Sequence, residues 1–177
     1  MSGEAEVLLF TIDAGGGHRA AARALVAAAE EKGTPLALRV QNFQQILLRL
    51  DPLHRLTGLS IEDAYNLILR TLCTWLAERP RPAAVVSVTP HFNAIMAGAV
   101  RAACPGVPLL VVLTDLADFP PRFWIEPGID RLVVGSDEAR EQALALGIAA
   151  ERVSRVSGMI LRPSFYRAGG PEARAAQ

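Results

Sequence analysis

Short apolar runs recur along the chain at 7–12, 36–40, 84–88, 109–113, 132–134 and 153–156. They are rich in Val, Ile and Leu and show little alternation, which predicts strands covered by helices on both faces. The stretches between them have helical spacing and predict helices over 20–31, 91–103 and 136–146. The first carries seven alanines, so it can lie close against a sheet. The last opens on Ser136, a good N-cap, with Asp137 and Glu138 in its first turn, and Gly147 stands where it should end. Strand and helix alternate, and the expected class is α/β with a parallel sheet.

Residues 43–79 break this rhythm, because two helical stretches follow one another with no strand between. The upstream piece, 43–50, is amphipathic and ends at Asp51-Pro52. From Ser60, apolar positions at Ile61, Ala64, Tyr65, Ile68, Leu72, Trp75 and Leu76 keep one helical face, and Ser60 with Asp63 resembles a weakened capping box. After Phe165 the composition turns small and polar, and 167–177 is expected to be a disordered tail or a linker stump.

The composition narrows the classes of partner. Across 177 residues, 18 Lys and Arg balance 18 Asp and Glu, and hydrophobic types reach 51%. This is enough for one domain with a core, and the neutral balance speaks against a nucleic-acid clamp. Cys73 and Cys104 fit no zinc or redox spacing and read as reduced core residues of a cytosolic protein. The acidic start and the lack of a long apolar run lead us to expect neither a signal peptide nor a membrane span.

Three segments could carry chemistry, each following a predicted strand. Asp13-Ala-Gly-Gly-Gly-His-Arg opens the alanine-rich helix. Gly15, Gly16 and Gly17 let backbone N–H groups approach a phosphate at a helix N-terminus, or they serve only the sharp turn. His18 is placed to act as a general base or to donate to a phosphate, and Asp13 to orient it or to cap the loop. Thr89-Pro-His-Phe-Asn offers His91 and Asn93 to an acceptor hydroxyl, with a plain capping turn as the alternative. Thr114-Asp115-Leu-Ala-Asp118 holds carboxylates that are either site residues or loop caps. No spacing suggests a bound metal, and none suggests a serine-hydrolase elbow.

Taken together, Asp13-Ala-Gly-Gly-Gly-His-Arg-Ala-Ala-Ala, Leu113-Thr-Asp-Leu, Val134-Gly-Ser-Asp-Glu-Ala and Val156-Ser-Gly-Met-Ile-Leu-Arg-Pro-Ser-Phe resemble, in order, landmarks of one family. It comprises the monogalactosyldiacylglycerol synthases and processive diacylglycerol glucosyltransferases, which are related to the peptidoglycan lipid-intermediate N-acetylglucosaminyltransferase. The resemblance runs from about residue 5 to 166. It implies a Rossmann-like, doubly wound, mostly parallel sheet of about six strands, forming the acceptor-binding half (1–166) of a GT-B glycosyltransferase. It further implies transfer from a UDP-sugar to a diacylglycerol-type hydroxyl with inversion and no cofactor. His18 would be the base, Gly15, Gly16 and Gly17 would face the donor diphosphate, and Asp13, His91 and Asp115 would lie near the acceptor cleft. The donor-binding half is expected in a missing C-terminal domain or a partner subunit. Arg49, Arg55, Arg70 and Trp75 would form a surface touching the bilayer, or the segment packs onto the sheet. The resulting expectation is a cytoplasmic protein, peripheral on the inner face of the membrane, with self-association among its contacts.

Overall fold

The computed structural model describes residues 5–13, 16–48, 59–119 and 122–158. Six strands, β1 (Ala5–Thr11), β2 (Leu36–Asn42), β3 (Ala84–Ser87), β4 (Leu109–Val112), β5 (Arg131–Val134) and β6 (Val153–Arg155), form one sheet. All neighbours are parallel, in the order β2-β1-β3-β4-β5-β6. Five helices connect them: α1 (Gly16–Glu31), α2 (Phe43–Leu48), α3 (Ile61–Ala77), α4 (Asn93–Ala103) and α5 (Asp137–Ala145). The parallel α/β class expected from the apolar runs, Rossmann-like as the family resemblance implies, is what forms, with strand boundaries moved by a residue or two.

Strand order decides which face each helix covers. Chain growth runs from β1 outward to β2, then crosses back over β1 to β3 and continues in the opposite direction. Right-handed crossovers therefore put α1 on one face and the later helices on the other. The core divides accordingly. Leu9, Val88 and Val112 meet Ala22, with Leu25 and Val26 packed alongside, on the α1 face. Leu8, Phe10 and Ile12 meet Phe43, Leu72, Trp75, Leu76 and Met96 on the opposite face. Ala21, Ala22 and Ala24 are the buried residues of α1, so the alanines let this helix sit close to the strands.

Among the described residues of the segment 43–79, Phe43, Ile46, Leu72, Trp75 and Leu76 are buried in the core. Trp75 is 5% exposed, meets Phe10 edge-on and is covered by the Arg79 guanidinium at 3.5 Å from its ring centre. Packing, the plainer of the two readings offered for this segment, describes Trp75, while Arg49 and Arg55 lie outside the described residues. The other end of α3 differs, with Ile61 91% and Tyr65 39% exposed. Ser60 caps α3 by accepting from the Asp63 N–H, and Ser136 caps α5 by accepting from the Ala139 N–H, as the capping residues predict. Gly147, at φ 85°, ends α5 in the left-handed region. No described helix is long and apolar enough to cross a membrane.

Pairing of β5 with β6 brings two sequence landmarks, 134–139 and the start of 156–165, into contact. A Cβ on Gly135 would lie 2.7 Å from the Gly158 carbonyl oxygen, so backbone packs on backbone here. We expect Gly135→Ala to destabilise the domain by about 1–3 kcal/mol, read from urea unfolding at unchanged m-value. The end of the domain near 166 and the tail 167–177 lie outside the described residues.

Candidate functional site

In an open parallel sheet, ligands bind at the carboxyl ends of the strands where the chain changes direction. Here that point lies between β1 and β3. The turn after β1 carries Asp13 and, in the first turn of α1, Gly16, Gly17 and His18. The turn after β3 carries Thr89, His91 and Asn93. The helix begins four residues earlier than its alanine run predicts, so Gly16 and Gly17 present free first-turn N–H groups. Gly15 lies outside the described residues.

No hydrogen bond joins His18 to Asp13 among the described residues. Its ring packs on Trp124 with centroids 5.7 Å apart, and its Nδ1 is buried without a hydrogen-bond partner among them. Asp13 is engaged elsewhere: Oδ1 pairs with Arg19 at 3.3 Å and Oδ2 accepts from Asn42 Nδ2 at 2.6 Å. Its own N–H donates to Gln44 Oε1. Asp13 thus fastens the turn after β1 to the end of β2 and the start of α2.

Asn93 is 1% exposed and both ends of its amide are used. Oδ1 accepts from Ser87 Oγ at 2.8 Å, and Nδ2 donates to the Trp124 carbonyl at 2.9 Å. Thr89, also buried, sits 3.1 Å from Ser87 by its hydroxyl and does not cap α4, whose N-cap is Phe92. His91 stands outside the helix, exposed, at φ 69°. An L-residue is rarely found there unless its surroundings hold it. The hold is visible: the His91 N–H donates to the Phe123 carbonyl at 2.6 Å, and its ring meets Phe123 edge-on at 3.9 Å.

The loop after β4 divides the roles of its two carboxylates and brings in Trp124, which sequence reasoning missed. Asp118 is 1% exposed, and its carboxylate accepts from the backbone N–H groups of Arg122, Phe123, Trp124 and Ile125. Of the two carboxylates considered in this segment, Asp118 is the loop cap. Asp115 remains exposed, and its Oδ2 accepts from Trp124 Nε1 at 2.9 Å. Trp124 therefore touches or bonds His18, Asn93 and Asp115. A rare tryptophan shortly after a strand-end carboxylate was the signal available in the sequence. The side chains of Leu116 and Phe119 on the same loop are 60% and 69% exposed.

Partial desolvation holds the imidazole of the otherwise exposed His91 below its usual range, with Asp118 opposing it and the charge of His18 acting in the same direction. A histidine whose folded-state affinity for protons is depressed is protonated first in the unfolded chain, so stability is lost as pH falls through about 6.5. We expect the protein to unfold at lower urea at pH 5.5 than at pH 7.5. His91→Asn, which tolerates the positive φ, should reduce that difference.

The chain is similar to two rice proteins, probable monogalactosyldiacylglycerol synthase 2 of Oryza sativa subspecies indica and japonica, at 29% identity over 190 residues. The match covers 92% of this chain and 40% of each rice protein, so the chain spans well under half the length of these relatives. No protein-family model matches. Among solved structures, the lipopolysaccharide outer core galactosyltransferase WaaB superposes with a TM-score of 0.58 at 15% identity, covering 84% of this chain and 44% of that one. Anabaena HepE in complex with UDP-glucose superposes with a TM-score of 0.50 at 15% identity, covering 86% and 43%. The chain is thus similar in sequence to monogalactosyldiacylglycerol synthase over nearly all of its length and carries the Rossmann-like fold seen in GT-B glycosyltransferases.

Proposed function

We propose that this chain is the acceptor-binding half of an inverting glycosyltransferase that moves a sugar from a UDP-sugar to a lipid hydroxyl of the diacylglycerol type. The observation that carries this reading is the meeting of Gly16, Gly17 and His18 with His91 across β1 and β3. Free N–H groups suited to a diphosphate stand there beside two imidazoles suited to a hydroxyl. The sequence similarity supplies the substrate class, and exposed Leu116 and Phe119 supply apolar surface for a lipid chain.

In this reading Gly15, Gly16 and Gly17 face the donor diphosphate. His18 Nε2 takes the acceptor proton as the hydroxyl attacks the anomeric carbon, and amides at the start of α1 stabilise the departing UDP. His91 and the free Asp115 oxygen hydrogen-bond the acceptor. Asn93 and Asp13 act by holding the two turns in place, through the bonds described above. Most contacts to the nucleotide come from a second domain or a separate subunit. Exposed Ile61 and Tyr65 at the start of α3 give a place for peripheral contact with a membrane.

A second reading is a non-catalytic half that holds lipid or an anion and docks a separate donor-binding subunit. It is favoured by one observation: a base at Nε2 carries its proton on Nδ1, and that atom has no acceptor among the described residues to orient it. One fusion protein separates the two. The chain is joined to the remaining part of the rice relative and assayed for transfer from UDP-galactose to diacylglycerol. The catalytic reading expects turnover that His18→Ala lowers on the order of a hundredfold with diacylglycerol binding retained. The second reading expects lipid binding without turnover, or turnover that His18→Ala leaves unchanged.

A further inference from the structure

On the other side of Asp13, the ends of β1 and β2 and the first turns of α1 enclose a cavity of about 220 Å³. It is lined by Thr11, Asp13, Arg19, Arg23, Asn42 and Gln45, with Ala22 and Val40 completing the wall. We propose that this cavity is an anion subsite that takes a phosphate-type group. It is separate from the crevice between β1 and β3 and shares only Asp13 with it.

The hydrogen bonds of the lining specify the ligand. The acceptors are already used: Asp13 Oδ1 pairs with Arg19, Asp13 Oδ2 accepts from Asn42 Nδ2, and Asn42 Oδ1 accepts from the N–H groups of Gln44 and Gln45. The charged groups left over in the lining are guanidinium donors. Arg23 has no anionic partner among the described residues, and Arg19 spends one contact on Asp13 and is half-exposed. These two arginines are one turn apart on α1, so both guanidinium groups reach the same flank. The helix N-terminus adds positive potential of the same sign.

The floor gives an independent indication. Thr11 is 4% exposed and its hydroxyl has no hydrogen-bond partner among the described residues. Strand alternation sets its direction: Leu9, two residues earlier, packs with Ala22 on the α1 face, so Thr11 also points under α1. A buried hydroxyl left unpaired is unfavourable, and a ligand oxygen can satisfy it. A compact, acceptor-rich anion fits a site whose free groups are two guanidiniums, a hydroxyl and the Gln45 amide.

Titration of the ¹⁵N-labelled chain with sodium phosphate at constant ionic strength tests the proposal, read at Arg19 and Arg23 Nε and at the Thr11 and Gln45 amides. Saturable shifts are expected. Arg23→Ala should weaken binding about tenfold, as loss of a charge-assisted contact does. Thr11→Val, which keeps the shape and removes the hydroxyl, should weaken it severalfold, and His18→Ala should leave it intact. Two further arms identify the source of the phosphate. Saturation by glycerol 3-phosphate assigns a soluble ester. Arg23-dependent binding to phosphatidylcholine vesicles carrying phosphatidylglycerol, beyond that to phosphatidylcholine alone, assigns a lipid headgroup. Shifts that never saturate and are matched by chloride overturn the proposal, as do Arg23→Ala and Thr11→Val proteins that bind phosphate like the parent. Because His18 takes no part, this outcome is independent of the proposed transferase chemistry.

Discussion

Replacing Asp118 with alanine will lower the midpoint of thermal unfolding by about 6–12 °C, from a loss of roughly 3 kcal/mol at about 2–4 °C per kcal/mol for a domain of this size. The physical reason is a carboxylate that serves as four acceptors at once. It is 1% exposed and accepts from the N–H groups of residues 122–125. A methyl group offers those donors nothing, and the two most buried of them, on Trp124 and Ile125, cannot turn to water while the loop stays closed. Asp118→Asn keeps the size but turns one N–H₂ face toward backbone N–H groups, so it should fall between parent and alanine variant. Calorimetry on the three proteins decides the matter, and an alanine variant melting within about 2 °C of the parent would show that the loop is held by other contacts.

The second large effect is expected at Trp124. Truncation to alanine should cost about 3–5 kcal/mol, because an indole 2% exposed leaves a cavity that the surrounding strands cannot close. Trp124→Phe should cost about 1–3 kcal/mol, since the ring is largely kept and the hydrogen bond to the Asp115 carboxylate is lost. The two variants differ at His18. With alanine, the wall against Nδ1 disappears and water reaches that nitrogen, so the imidazole ¹⁵N resonances should change; with phenylalanine they should stay close to those of the parent. Unchanged resonances in the alanine variant would show that Trp124 does not shield His18. Asp118 and Trp124 lie in one hydrogen-bonded loop, so the double alanine variant should lose less than the sum of the two single losses.

The candidate site was partly legible in sequence for local reasons. Glycines before a helical run mark a turn with free N–H groups, and a histidine at that junction is noticeable by itself. The carboxylates after β4 were visible as a pair, yet their division of labour was not. Whether Asp115 or Asp118 caps the loop depends on which one the chain folds over, and residues 122–125 return to Asp118. Asn93 looks like a ligand-binding amide in sequence. Its engagement with Ser87 and Trp124 needs β3, α4 and the loop after β4 to be brought together. The same applies to Asp13, whose partners Asn42 and Gln44 lie about 30 residues away.

The sequence by itself determined the elements: short apolar runs make two-sided strands, alanines make a helix that sits close, and Ser60, Ser136 and Gly147 set helix ends through bonds spanning a few residues. These depend on contacts within a single turn or strand, where chain order and spatial order coincide. Tertiary structure alone decided that β1 lies between β2 and β3, that the turns after β1 and β3 therefore face one crevice, and that Trp124 closes against His18. It also left Thr11 without a partner among the described residues, beneath Arg19 and Arg23. Such outcomes rest on crossovers and on competition among many possible partners for each polar group, and no stretch of sequence contains both sides of that competition.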